Sequence, residues 1–168
     1  MRLRIIFVLI LIWLYNCEGV ILFTQFKTCE DPIIKINASF RTVDGSYQLF
    51  NATYISPIIN GENLRAKLTA KILVGEMWMP MFALEEERGF CALVRKHTGP
   101  FFDNALRGAA IMPRCPIPKG TYLWRNYKPE FEKLRLQFPL GAVKLKITGT
   151  EISTGKLAIC LDITGIKK

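Results

Sequence analysis

The chain has 168 residues, with 23 Lys and Arg against 14 Asp and Glu, one histidine and a formal net charge of +9. That length suits one ordinary domain with a sizeable core, and the positive balance favours anionic partners such as lipid head groups, acidic glycans or acidic protein faces. The basic residues are dispersed, with no run longer than Lys167-Lys168. Nucleic acid is therefore not expected as a partner, and His97 alone leaves little from which to build a metal site or a histidine-dependent catalyst.

The N-terminus has the grammar of a secretory signal. Met1-Arg2-Leu3-Arg4 precedes an uncharged apolar run from Ile5 to Leu14, and Cys17-Glu18-Gly19 supplies small residues for cleavage after Gly19. The run is shorter than the ~20 apolar residues of a spanning helix. Residues 1–19 are thus expected to leave as a signal peptide, and residues 20–168 to form one secreted domain. Losing Arg2, Arg4 and Glu18 takes the net charge from +9 to +8.

Period-2 alternation dominates the mature chain. Residues 33–43 place Ile34, Ile36, Ala38 and Phe40 on one face and Lys35, Asn37, Ser39 and Arg41 on the other, as in a half-buried strand. Asp44-Gly45-Ser46 signals a turn, and residues 47–55 return as the second arm of a hairpin. Residues 64–74 alternate most cleanly, with Leu64, Ala66, Leu68, Ala70, Ile72 and Val74 on the inward side. Met77, Trp78, Met79, Pro80, Met81 and Phe82 then make a dense apolar cluster interrupted by proline, expected as an irregular segment. Residues 88–111 lose the alternation. Phe102, Ala105, Leu106 and Ala109 fall at helical spacing, predicting a short helix over 101–110 with Gly99-Pro100 at its start.

After Cys115-Pro116-Ile117-Pro118, which stops any regular element, strands are expected from Thr121, over 134–138, over 143–148 and over 157–164. In the last of these Leu157, Ile159, Leu161 and Ile163 point inward, opposite Ala158, Cys160, Asp162 and Thr164. Six or seven evenly spaced strands with one helical insertion predict an all-β fold, an immunoglobulin-like two-sheet sandwich.

With Cys17 gone, Cys29, Cys91, Cys115 and Cys160 remain, an even number that predicts two disulfides in one of three pairings. No two stand at C-x-x-C spacing, so no metal is expected. Asn37-Ala38-Ser39 and Asn51-Ala52-Thr53 are glycosylation acceptors with Asn37 and Asn51 on outward positions.

"CPIPKGTYLW" at 115–124, "KLRLQFP", "GAVKLKI" and "STGKLAICLDITGI" together resemble the C-terminal half of the ganglioside-activator branch of the ML lipid-recognition family. The short chain resembles the CheB-type insect chemosensory relatives of that branch most. The likeness covers roughly residues 110–168; upstream it rests on strand order and on Cys29 and Cys91. It implies a cup-like sandwich with a lipid cavity between its sheets, and the bridges Cys29–Cys160 and Cys91–Cys115. Activator proteins carry eight cysteines where this mature chain has four, so the bridges that brace loops near their cavity mouth lack a counterpart here.

No catalytic constellation, phosphate loop or cofactor motif is present in the sequence, and Glu85-Glu86-Glu87 has the look of a solvated turn. The chain is expected not to be an enzyme and to need no cofactor. Met77, Trp78, Met79, Met81 and Phe82 concentrate adaptable apolar surface, and with Phe101, Phe102 and Trp124 they are the expected lining of an apolar ligand cavity. Arg125 or Lys128 are candidates to orient a polar head group. The expected function is a secreted binder of a lipid or other hydrophobic small molecule, acting in pheromone or contact-chemical detection as the resemblance implies. The alternatives are a glycolipid-presenting activator of a hydrolase and a ligand-free extracellular modulator of a membrane channel or receptor.

Overall fold

The computed structural model describes residues 20–29 and 31–168; the expected signal peptide, 1–19, lies outside them. Among the described residues, eight strands form two antiparallel sheets. They are β1 (Ile21–Thr28), β2 (Lys35–Val43), β3 (Tyr47–Ser56), β4 (Leu64–Val74), β5 (Met77–Glu86), β6 (Gly120–Tyr127), β7 (Gly141–Glu151) and β8 (Leu157–Lys167). The large sheet has the order β1-β8-β7-β4-β5 and the small sheet β2-β3-β6. The two sheets pack as the expected immunoglobulin-like sandwich, with helices α1 (Phe90–Thr98) and α2 (Pro100–Gly108) inserted between β5 and β6.

The alternating segments form strands for the expected reason: one side of each is apolar and finds the opposite sheet. In β4, Leu64, Ala66, Leu68 and Ala70 are buried while Arg65, Lys67 and Lys71 are exposed. Across the ladder, Ala66 meets Gly149, Leu68 meets Ile147 and Ala70 meets Leu145, so one inner face runs continuously over the sheet.

Four expectations differ from the structure. Residues 77–82 are not irregular: they open β5, which pairs with β4 along its length. Pro80 is tolerated because β5 is an edge strand, where a missing N–H leaves no ladder bond unmade. A bulge at Met81 shifts the register between the Ala70–Phe82 and Lys71–Pro80 pairs and blurs the alternation. Residues 134–138 are not a strand. A 3-10 turn at Phe131–Lys133 leads into extended chain without a ladder, yet half-buried Leu134 and Leu136 and buried Phe138 still point inward and pack around Ala70 and Val143. Two helices replace the single predicted one. α1 is no shorter than α2 but lacks the proline that marks the start of α2; Gly89 starts it with φ 106, where an added Cβ would stand 2.2 Å from the Gly61 carbonyl oxygen. Finally, Ala158 and Cys160 are buried rather than outward. The disulfide to Cys29 covers one, and the chain entering β2 runs beside the other, the Ile33 and Ile34 N–H groups donating to the Leu157 and Ala158 carbonyls.

The bridges are Cys29–Cys160, with Cα atoms 5.4 Å apart, and Cys91–Cys115, at 5.8 Å. The first ties the end of β1 to β8. The second ties α1 to the proline-rich segment, whose Ile117 exchanges two 2.9 Å backbone bonds with Asn60.

Candidate functional site

Strand registers show which side chains face the space between the sheets. From the large sheet these are Leu68, Ala70, Phe82, Leu84, Leu145, Ile147, Leu161, Ile163 and Phe26. From the small sheet they are Ile36, Ala38 and Phe40 on β2, Tyr54, Ala52 and Phe50 on β3, and Tyr122, Trp124 and Tyr127 on β6.

This space is sealed at one end and loose at the other. At the end capped by α1, Leu64, Leu93, Ala158 and Ile159 are 0% exposed and Ile34 1%. Away from that end the inner positions change character. Phe26, Ile36, Phe40, Phe50, Phe82, Leu145 and Ile163 point inward and remain only half-buried. In a close-packed core such positions would be fully covered. Two clefts, of about 350 and 310 Å³, lie where the edge strands β1 and β2 face each other but beside the sealed end: Cys29, Asp31, Pro32 and Lys35 line one, and Thr28, Ile36 and the outward Asn37 line both.

Aromatic rings frame the loose end. Phe40 and Phe50 lie 5.8 Å apart, Phe50 and Phe23 5.4 Å, Phe23 and Phe131 5.3 Å, and Phe131 stacks on Phe101 at 5.3 Å. The chain of rings thus links the small sheet, β1, the 3-10 turn and α2. Gln48, 3% exposed, clamps the sheets together here: its Oε1 accepts from the Phe23 N–H at 2.6 Å and its Nε2 donates to the Phe23 carbonyl at 2.8 Å.

The eight residues expected to line a cavity do not converge. Phe82 and Trp124 face the intersheet space. Trp124 also holds α2 down, its Nε1–H donating to the Ala105 carbonyl at 2.6 Å. Phe101 sits in the aromatic frame, whereas Phe102 packs into a separate cluster with Cys91, Leu106, Ile111 and Ile117 beneath the helices. Met81 joins the packing around Ala70, Phe138 and Val143. Trp78 is on the outer face, under the Lys144 ammonium at 4.1 Å from its ring centroid. Met77 and Met79 project from the end of the large sheet, 69% and 46% exposed. Phe23, Phe26, Ile36, Phe40, Phe50 and Phe131 are not singled out by the sequence as lining. Three of them, Ile36, Phe40 and Phe50, sit in stretches read as strands from the sequence, but nothing local says that their apolar side would be incompletely covered.

Polar groups border the space at one corner. Asn104, Arg107, Tyr127, Lys128, Glu130 and Glu132 line a groove of about 470 Å³. Asn104 donates to Glu130, and the Lys133 ammonium holds the Glu130 carboxyl below its ordinary value. The Tyr127 hydroxyl is buried without a partner among the described residues. Burial first, then the charges of Glu130 and Glu132, raise its pKa, so it stays a protonated donor at neutral pH. Of the two candidate head-group residues, Lys128 lines this groove, while Arg125 lies exposed on the outer face of β6. Among the described residues no group of three His, Cys, Asp or Glu is placed to hold a metal ion.

No protein-family profile matches the chain, and no curated protein matches it. Among solved structures, chicken MD-1 complexed with lipid IVa is similar, at 11% identity over 89% of this chain and 99% of that one, with a TM-score of 0.37. A likeness that distant carries nothing about ligand or mechanism, so the chemistry rests on the intersheet space itself.

Proposed function

We infer that the protein is a secreted carrier or co-receptor that holds a hydrophobic small molecule or lipid chain between its sheets. The observation that carries this reading is the band of inward-facing apolar side chains that stay half-buried at one end of an otherwise sealed sandwich. Burial of an alkyl chain there supplies the driving force, ~0.8 kcal/mol per methylene, without requiring a polar contact. Two disulfides in a small β domain support an extracellular setting. The resemblance of residues 110–168 to the ML family, and to its CheB-type members, supports ligand capture in chemosensation as the biological context.

Asn37 and Asn51 fit glycan attachment. Both are exposed on the outer face of the small sheet, where Asn37 stands opposite Thr53 and Asn51 opposite Ser39. A ligand-free modulator would be expected to turn Trp78 and Phe82 both outward; only Trp78 is so placed.

The test is mass spectrometry of molecules that co-purify with the secreted protein, paired with titration of a fluorescent fatty acid. Recovery of one class of long-chain molecule, displaceable by the probe, supports the reading. A protein that purifies empty and leaves the probe unbound overturns it.

A further inference from the structure

The β4–β5 end of the large sheet carries a feature that ligand binding between the sheets does not use. Of eleven large apolar side chains exposed among the described residues, six gather there: Val20, Leu73, Val74, Met77, Met79 and Leu140. Strand register explains the gathering. Val74 pairs with Met77 and Ile72 with Met79 at the tip of the hairpin, Ile72 also pairs with Val143, three residues after Leu140, and Ile21, next to Val20, pairs with Lys167, itself opposite Gly141. Val74, Met77 and Met79 stand on the inner side of the hairpin tip, Leu73 on its outer side beside Trp78, and Val20 and Leu140 next to strand ends, all of them exposed. Burying them on a partner is what leaves an apolar patch of this kind in a folded domain.

Charge collects immediately behind the apolar tip. Stretches 71–79, 138–146 and 164–168 contain Lys71, Lys144, Lys146, Lys167 and Lys168 against Glu76, with Asp162 opposite Lys146 in the ladder and the half-buried Lys167 donating its ammonium to the Phe138 carbonyl at 2.9 Å. Lys71 and Lys144 are directly opposite each other on the outer face, an arrangement that like charges disfavour. None of the five lysines is in an ion pair among the described residues. Trp78 lies between the apolar tip and the lysines, paired with Leu73 and covered by Lys144.

We propose that this end of the sandwich docks on an anionic phospholipid surface, with Val74, Met77 and Met79 entering the head-group region and Lys71 and Lys144 meeting the lipid charges. The order of the layers favours a bilayer over an acidic protein. An apolar tip, an amphipathic indole behind it and a cationic collar behind that match the depth profile of a membrane interface. The docking surface is separate from the intersheet space, whose occupancy is measured in solution without vesicles, so either idea can fail alone.

The experiment is co-sedimentation of the secreted protein with vesicles of phosphatidylcholine alone and of phosphatidylcholine mixed with phosphatidylserine. Binding is expected only to the mixed vesicles, weakening as salt is raised. Each lysine close to such a surface contributes roughly a fivefold factor in partitioning, so Lys71→Glu with Lys144→Glu should reduce it by at least about 25-fold. Val74→Asp with Met77→Asp should reduce it comparably, and Arg125→Glu, on the outer face of the small sheet, should leave the tip's contribution intact and change binding by no more than a few-fold. All these positions are exposed, and an unchanged thermal melt shows that the variants fold. Quenching of tryptophan emission by brominated acyl chains adds a readout in the unmutated protein. Absence of binding to the mixed vesicles, equal loss in Arg125→Glu, or binding indifferent to the Val74/Met77 change would each overturn the proposal, as would capture of an acidic protein by the tip with no affinity for lipid.

Discussion

Ala52→Phe separates a ligand space from a filled core. Ala52 occupies the middle of the small sheet's inner face, between Ala38 and Trp124, and is half-buried. In a filled core, adding a ring at this point forces neighbours out of their rotamers and destabilises by about 1–3 kcal/mol. If the space admits a ligand, the ring enters it instead. Burial of the new side chain then contributes up to about 1.5–3 kcal/mol, and stability stays level or rises. The same ring takes the place of roughly four methylenes of a bound chain, worth ~3 kcal/mol at ~0.8 kcal/mol each, or roughly a hundredfold in Kd. Ligand affinity is read by displacement of a fluorescent fatty acid, and stability by denaturant unfolding of the same samples. A variant that loses more than about 1 kcal/mol of stability while keeping the probe affinity of the parent would refute the reasoning. Ala38→Phe, on the adjacent strand, should behave as Ala52→Phe does.

The two disulfides should differ in worth because their loops differ. Cys29–Cys160 spans 131 residues and Cys91–Cys115 spans 24, so the loop-closure model predicts losses of about 5 and 3.4 kcal/mol when each pair is replaced by serine; denaturant melts that rank them the other way would contradict that account. Gly108→Ala should destabilise by about 1–3 kcal/mol despite a gain in helix propensity, because the new Cβ would stand 2.6 Å from the Tyr127 ring; a raised melting temperature would show that the ring can move aside. Glu86, bonded to Lys96, and Glu130, bonded to Lys133, are both held below the ordinary glutamate value of 4.5. Each binds its proton more weakly when folded, so its contribution is complete above about pH 4.5 and is lost as pH falls through the folded value. The Glu130 side chain is 41% exposed, so Lys133→Met should leave the melting temperature near that of the parent at neutral pH and flatten only the acid limb of a melting series; the Glu86 side chain is 14% exposed, so Lys96→Met should lower the melting temperature more than Lys133→Met does, and the reverse order would show that these pairs do not act as described.

How much of the site is legible in the sequence depends on the kind of information each residue carries. Ile36, Phe40, Leu68 and Leu145 announce their direction through alternation. Trp124 lies in a recognisable strand after the Cys115–Pro118 break, and the acceptor asparagines Asn37 and Asn51 stand on the outward face expected of them. Met77 and Met79 resist prediction because sulfur-rich apolar side chains suit a pocket, a core and an exposed tip equally well, and only the ladder with β4 shows that they run past the opposing sheet. Gln48 is invisible for a different reason. Its amide closes two bonds to Phe23, 25 residues away in another sheet, and no local pattern encodes that meeting.

The sequence by itself determined the strands, the hairpin turns, the even cysteine count and the side on which most apolar residues lie, because side-chain direction in a strand is a local property with a period of two. Tertiary structure alone decided what covers each side. It buries Ala158 and Cys160 on the face expected to be wet, sets Pro80 on an edge, leaves Phe26, Phe40 and Ile163 incompletely covered, and pushes Met77 into solvent. Coverage is a relation between elements far apart in the chain, so it follows from which sheet ends where and from no single segment's composition.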